Sequence, residues 1–403
     1  MNSQAQLNPT KLSILSVPRS RYWIFVSSIL SLLYQESAKG DEEGDSLCES
    51  EEDSEIPIGQ LSLANNLREG TPVDNLSRQG KSSNESGSDS ESSVEIQDGD
   101  YDDKDNYFFH IAFTPEECTI ICSKLKADRL FRKPLQLCQQ LGYNDVQLIH
   151  ETYINLQVDS DGSDRSLQII KLTQPLSENG ISLFFISSHF GDIVLIPHRY
   201  KEKVLDILSE KRYQFSDLSN SFIISNVGTS HVEELASLEW LRENHTRPLI
   251  NTSIKLLLTG SRSGEVTNTI VKSATIIATD KVPPYFSITR TSINEVSLIL
   301  PKSSKKRAAL GFSSRDTIGS EQDVIIPIIV DLSLLPFDSP GIVAGLASKI
   351  MLGVEKLPHA VSYPFEMNYL SMARAGIIMI PQENVMFVSR VLNDEIDDDE
   401  EDI

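Results

Sequence analysis

The order of apolar and polar positions changes repeatedly along the chain between strand-like alternation and helix-like spacing. Lys11 to Val17 alternate as a half-buried strand does, and residues 21–34 carry apolar side chains at helical spacing. Residues 107–113 and 117–122 are again strand-like. This first stretch therefore predicts the order β, α, β, β.

The same order recurs three more times. The second copy has strands at 152–158, 180–187 and 192–196, with helices at 167–176 and 201–208. The third has strands at 253–258, 285–289 and 295–300, with a helix at 266–278. The fourth has strands at 324–330, 367–373 and 376–380, with helices at 342–352 and 383–392. One supersecondary unit used four times predicts an α+β protein of tandem ferredoxin-like βαββαβ modules.

The repeats and the composition divide the chain into four modules and two other segments. The predicted boundaries are 11–135 for module 1, 148–215 for module 2, 216–248 for a connector with Trp240 on a helix, 250–312 for module 3, 322–393 for module 4, and 394–403 for an acidic tail.

Charge is concentrated in two segments, an insertion at 36–105 within module 1 and the tail at 394–403. The chain has a net charge of −22, but residues 36–105 hold 21 acidic and five basic residues, and residues 394–403 hold eight acidic ones. Both segments are predicted to be disordered, as is the short tail before Lys11, because they lack the apolar surface to offset ordering entropy. The run Ser88 to Ser92 is either a target for an acid-directed kinase or a solvated spacer. The rest is nearly neutral, which argues against nucleic-acid binding.

Cysteine usage and hydropathy favour a cytosolic protein without a membrane span. Four cysteines in 403 residues do not make a disulfide framework. Cys118 and Cys122 share one face of a strand and are interpreted as buried thiols rather than metal ligands. The apolar run 22–34 is shorter than the ~20 residues that cross a bilayer and shows no signal-peptide cleavage site, so a buried helix is expected.

No catalytic constellation appears in the sequence. There is no glycine-rich phosphate loop, and Gly260 to Gly264 misses the nucleophile-elbow pattern because Arg262 occupies its centre. The seven histidines are scattered without acidic partners. The prediction is a non-catalytic protein with no cofactor and no metal site.

One local motif has chemical character. Asp338-Ser-Pro-Gly341 follows a buried strand and opens a helix, so its main-chain N–H groups could hold an anion such as an α-carboxylate. The alternative is an ordinary strand-to-helix turn in which Asp338 caps the helix.

The motifs resemble a known family. Asp-x-Pro-Gly-Ile-Val after the first strand of a βαββαβ unit is similar to the signature of ACT domains, which bind amino acids at domain interfaces. Four stretches also resemble the CASTOR family of cytosolic arginine sensors in the target-of-rapamycin pathway: Leu15 to Arg19 with Trp23, Tyr107 to Cys122, Gly180 to Leu195, and Leu335 to Val343 with Gly376 to Pro381.

The resemblance implies a ligand site between modules 2 and 4. Main-chain groups would hold the backbone end of the ligand, at Ser182 and Leu183 of module 2 and at Gly341, Ile342 and Val343 of module 4. Asp338 belongs to the same turn.

The other end of this site departs from the family. Where the arginine sensors hold the guanidinium with acids, this chain has Ser339 and Gly376, with Arg374 nearby. Arginine is therefore disfavoured, since a buried guanidinium would lack its partners. Arg374 either points into the site, which favours an acidic or neutral ligand, or faces solvent.

Three functions follow from these observations. The first is an amino-acid-binding regulator that couples a ligand to a protein partner in nutrient signalling. The second is an interaction scaffold whose ligand site has been lost. The third, and least favoured, is the regulatory part of an amino-acid biosynthetic enzyme. A homodimer through edge strands is compatible with each. The first function depends on separate small sheets, with modules 2 and 4 facing one another.

Overall fold

The structure is a computed structural model that describes residues 3–42, 107–158, 165–210, 213–216, 221–224, 248–355 and 365–393. The acidic tail, most of the predicted connector with Trp240, and residues 43–105 of the predicted insertion lie outside these residues. Residues 36–42 belong to a helix, so the expected loop does not begin at residue 36.

The first half of the chain holds modules 1 and 2. Its strands are β1 (Ser3–Pro18), β2 (Phe109–Phe113), β3 (Glu117–Ser123), β4 (Gln147–Leu148), β5 (Tyr153–Val158), β6 (Phe184–Ser187), β7 (Asp192–Pro197), β8 (Tyr213–Ser216) and β9 (Ser221–Ile224). Its helices are α1 (Val26–Glu42), α2 (Lys124–Leu130), α3 (Arg132–Gln140), α4 (Arg165–Glu178) and α5 (Lys201–Glu210), and 3₁₀ turns span Arg19–Phe25 and His198–Tyr200.

The second half holds modules 3 and 4. Its strands are β10 (Leu249–Ile250), β11 (Leu256–Ser261), β12 (Phe286–Arg290), β13 (Val296–Pro301), β14 (Thr317–Ile318), β15 (Ile325–Asp331), β16 (Asn368–Ser371) and β17 (Ala375–Pro381). Its helices are α6 (Val266–Ala278), α7 (Ser304–Ala309), α8 (Ile342–Glu355) and α9 (Val385–Leu392), with a 3₁₀ turn at Gln382–Asn384.

Helix α1 shows why the apolar run near the start of the chain is not a membrane segment. The apolar side chains recur at helical spacing and are completely buried in the core shared with the strands of modules 1 and 3. They are Phe25, just before α1, and Ile29, Leu32 and Leu33 within it. Trp23 and Tyr34, in contrast, are exposed. The predicted buried helix is confirmed. Among the described residues, no helix combines the length and the apolar character that crossing a bilayer requires.

The strands of all four modules join into one closed ring. Twelve antiparallel strands follow one another around it in the order β1, β3, β2, β12, β13, β11, β15, β17, β16, β6, β7, β5, and back to β1. The two halves of the chain are built alike, since Leu12 pairs with Tyr153 where β1 meets β5, and Leu256 pairs with Ile325 where β11 meets β15.

The ring corrects the expectation of separate ferredoxin-like sheets, on which the first of the three functions was expected to depend. The other condition of that function, that modules 2 and 4 meet, is retained, since β6 pairs with β16. Modules 1 and 3 keep a two-residue fourth strand each, β4 and β14, which pair with β1 and β11. In modules 2 and 4, the position beside the first strand is filled differently. The first part of β1 pairs there with β5, and β10 pairs with β15. Residues 3–8 are therefore part of a strand, and the predicted disordered tail before Lys11 is wrong.

Three hydrophobic cores hold the ring together. The inner core takes alternate side chains from strands of all four modules, among them Ile14, Ile186, Ile299 and Met379. The outer face of modules 1 and 3 packs under helices α1 and α6, and that of modules 2 and 4 under α4 and α8. Since the inner core is apolar and continuous, the ring is filled rather than open.

Candidate ligand site

The two halves of the chain meet edge to edge at two seams, and the seams differ. Strands β2 and β12, from modules 1 and 3, pair over five consecutive positions centred on Ile111 and Ile288. Strands β6 and β16, from modules 2 and 4, pair at the single position Ile186 with Leu370. The second seam is thus the less regular of two related interfaces. It is also the interface at which the family resemblance predicts the ligand.

Two serine hydroxyls complete the seam between β6 and β16. The Tyr369 N–H donates to Ser187 Oγ (3.0 Å), and the Phe185 N–H donates to Ser371 Oγ (2.8 Å). Ser187 and Ser371 occupy the same position in their modules, as the last residues of β6 and β16. Side-chain oxygens therefore accept N–H groups that a carbonyl accepts in a regular ladder.

The Gly341 turn has the backbone geometry that only glycine adopts freely. Gly341 has φ +85°, and its carbonyl accepts the Gly345 N–H (2.8 Å), which closes the first turn of α8. Ser339 donates both its N–H (3.2 Å) and its Oγ–H (2.9 Å) to the Pro336 carbonyl, so the preceding loop is folded upon itself. Asp338 is exposed, and among the described residues no N–H group of α8 donates a hydrogen bond to its carboxylate. The helix-cap alternative for Asp338 is not supported.

Strand pairing places Leu183 and the loop that leads to α8 at one end of this seam, because Ser371 at the end of β16 accepts the Phe185 N–H and β15 ends opposite Ala375 at the start of β17. Leu183 precedes β6, Ile342 and Val343 open α8, and all three contact the same helix-side core. Ser182 is buried beside Leu183.

The loop before α8 borders the inner core, since Phe337 packs against the same core as Tyr153 and Phe184. The Tyr153 ring packs edge-on against Phe184, the first residue of β6, with centroids 5.5 Å apart. Burial raises the pKa of Tyr153, and the Glu151 and Asp338 carboxylates raise it further.

Arg374 lies beside this end in the turn between β16 and β17, and Gly376 is the second residue of β17, opposite Ser371. The Arg374 guanidinium is half-buried and stacks over the Phe337 ring at 5.4 Å. A Cβ on Gly376 would come within 2.3 Å of Tyr369 Oη. Glycine is required there because the buried Tyr369 ring fills the space.

The opposite end of the seam has an equivalent contact that the sequence did not indicate. Ser166 Oγ, at the start of α4, donates to the Phe365 carbonyl just before β16 (2.6 Å). Ser187, Ser371 and Tyr369 were missed as well. A residue-by-residue alignment of the repeats could have found the two serines, because Phe-Ile-Ser and Tyr-Leu-Ser end the same strand in modules 2 and 4.

Comparison with known proteins identifies one domain. A family model described as the ACT domain matches residues 148–210, which is module 2 with Ser182, Leu183 and Ser187. ACT domains are regulatory modules that bind amino acids. No curated protein matches the chain.

The chain has a weak similarity to a solved structure. The aspartate kinase from Synechocystis is 10% identical over 71% of this chain and 49% of that chain, with a TM-score of 0.27. The chain thus spans about half the length of that kinase.

Proposed function

We propose that this protein is a non-catalytic, cytosolic regulator that binds an amino-acid-like ligand between modules 2 and 4 and passes the bound state to a protein partner. The setting proposed is nutrient signalling of the target-of-rapamycin type, as the resemblance to the CASTOR family implies. The coarser part of this function, an amino-acid-binding regulatory domain at residues 148–210, rests on the ACT match.

The observation that supports the proposal is that the loop to the Gly341 turn and the start of β6 lie at one end of the seam, and that Leu183, Ile342 and Val343 border one core. The turn ends in helix α8, whose first N–H groups have no acceptor within the helix. A helix start favours an anionic group such as an α-carboxylate. A strand edge offers carbonyl groups to an α-amino group.

The ligand proposed is small and neutral or acidic. The space beside Gly376 is taken by Tyr369, so a long side chain has no room there. The Arg374 guanidinium lies against Phe337, in the loop that leads to Gly341. A cationic ligand such as arginine would meet a like charge there, which disfavours it.

A ligand-independent scaffold is the second candidate. The observation in its favour is that protein groups already close the seam, through the Ser187 and Ser371 hydroxyls and the Tyr369 ring. In this function the partner would recognise the ring itself, and the state of the seam would not change.

A thermal-shift screen of the full chain against the twenty amino acids separates the two candidates. Binding to the folded state raises stability by about 2.7 kcal/mol at a ligand concentration 100 times Kd, which is a shift of several degrees. The regulator predicts such a shift for a small neutral or acidic amino acid and none for arginine. Twenty unchanged melting curves would leave the scaffold as the better account.

A further inference from the structure

A buried carboxylate from module 1 holds the β16–β17 turn of module 4. Glu117, the first residue of β3, is 5% exposed, and Ser16 and Thr119 each donate a hydroxyl to its Oε1 at 2.9 Å. Its Oε2 accepts the main-chain N–H of Arg374 (3.1 Å). Thr119 Oγ1 in turn accepts the N–H of Ala373 (3.1 Å). Two consecutive amides of the turn are therefore bound by side chains of another module.

The turn that Glu117 holds is connected to the Gly341 loop. The Met372 N–H donates to the Ala375 carbonyl (2.8 Å) and closes the turn, and the Arg374 carbonyl accepts the Leu332 N–H (2.9 Å). Leu332 begins the loop that ends at Gly341. The main chain of Arg374 thus links Glu117 on one side to the Gly341 loop on the other.

The equivalent turn in module 2 is held without a carboxylate. There the His189 N–H donates to Ser297 Oγ of module 3 (3.0 Å), as the Ala373 N–H does to Thr119. Glu295 occupies in module 3 the position of Glu117, because the Thr291 N–H donates to its carbonyl just as the Thr114 N–H donates to that of Glu117.

The carboxylate of Glu295 has a different use. It accepts the Thr291 hydroxyl inside its own turn (2.9 Å). In place of Ser16, module 3 has Gly260, over which the His189 and Phe190 rings lie. The two halves of the chain therefore differ at the turn beside the proposed ligand site.

We propose that Glu117 is a positioning residue: it holds the β16–β17 turn, and through Leu332 the Gly341 loop, in the geometry that receives the ligand. Module 1 is thereby coupled to the site between modules 2 and 4, so that ligand binding changes the restraint on β3. The inference deepens the proposed function and rests on it for the identity of the site.

The test is hydrogen–deuterium exchange of the full chain without ligand, followed on peptides that contain 331–337 and 370–377. Glu117→Gln should raise exchange in both peptides roughly tenfold, because the NH2 group of glutamine cannot accept a hydrogen bond as the second carboxyl oxygen of Glu117 does. Peptides over the module 2 turn, 188–191, should be unchanged. Glu295→Gln, the matched control, should leave both 331–337 and 370–377 unchanged.

A milder variant keeps the inference testable if Glu117→Gln does not fold. Ser16→Ala removes one donor to the carboxylate without touching module 4, and it should raise exchange in 370–377 a few-fold. Unchanged exchange in that peptide for the folded variants, or an equal rise for Glu295→Gln, would overturn the inference.

Ligand addition tells this result apart from failure of the proposed function. With the amino acid that shifts wild-type melting most, Glu117→Gln should bind at least tenfold more weakly, while Glu295→Gln binds as wild type does. If the wild type binds and Glu117→Gln binds equally well, the positioning role is refuted and the ligand site stands. If the wild type binds none of the twenty, the ligand site falls, and the exchange comparison still decides whether Glu117 holds the turn.

Discussion

His110 gives a direct test of how tightly modules 1 and 3 are joined. It lies in β2 opposite Thr289 of β12, is 0% exposed, and places its Nδ1 2.8 Å from Thr289 Oγ1. Its Nε2 has no hydrogen-bond partner among the described residues. Burial lowers the pKa of His110 to about 3. The imidazole is therefore neutral in the folded protein at all moderately acidic pH values.

The sign of the pH effect follows from this shift. The unfolded chain binds the proton with a pKa of about 6.5, so between about 3 and 6.5 the unfolded state holds more protons than the folded state. The free energy of unfolding consequently falls as the pH falls through 6.5. For a folded pKa near 3, the loss between pH 7 and pH 5 is about 2 kcal/mol.

The assay is urea unfolding at pH 7 and pH 5 for the wild type and for His110→Gln. The glutamine side chain still reaches Thr289 but does not titrate, so the variant should lose about 2 kcal/mol less than the wild type over this range. His150→Gln, at an exposed position, is the control and should follow the wild type. Equal pH dependence of the wild type and His110→Gln would refute a dry, closed seam at β2 and β12.

Three further predictions concern the seam of modules 2 and 4 and its support. Gly376→Ala should destabilise the protein by about 1–3 kcal/mol in chemical unfolding, because its Cβ meets Tyr369 Oη. Adding Tyr369→Phe should restore part of the loss, and a Gly376→Ala variant as stable as the wild type would show that the ring can move. Ser187→Ala and Ser371→Ala should each lower the free energy of unfolding by about 1 kcal/mol. Hydrogen exchange should also become faster at the amide that donates to each serine, and slow exchange in both variants would contradict these hydrogen bonds. Burial raises the pKa of Glu117, so the folded state binds its proton more tightly than the unfolded state does. The free energy of unfolding of the wild type should therefore fall relative to that of Glu117→Gln as the pH rises above about 4.5, and the same pH dependence in both proteins would count against this shift.

The elements of the fold were predictable because they are local. The alternation of Tyr153–Val158 and the helical spacing of residues 266–278 depend on neighbouring residues only, and both elements appear as expected. Ring closure was not predictable in this way. It depends on pairing between edge strands such as β2 and β12, which lie far apart in sequence and carry no local mark of their partner.

The candidate site divides in the same manner. Pro340 and Gly341 predict a turn before a helix, and the left-handed backbone at Gly341 agrees with that expectation. Glu117 was read only as the start of a strand, since nothing in the local sequence shows that its carboxylate is buried against another module. Gly376 was assigned to the ligand, whereas the structure shows that the Tyr369 ring requires it.

Matched glycine substitutions measured by isothermal titration calorimetry test the central claim most directly. Gly341 and Gly264 both have positive φ, +85° and +82°, and both lie between the first strand and the first helix of a module. Alanine at either position brings a similar backbone penalty of about 1 kcal/mol. The account predicts that Gly264→Ala binds the amino acid found in the thermal screen as the wild type does, and that Gly341→Ala binds it at least tenfold more weakly. Equal affinity of the two variants would contradict a ligand site at the Gly341 turn.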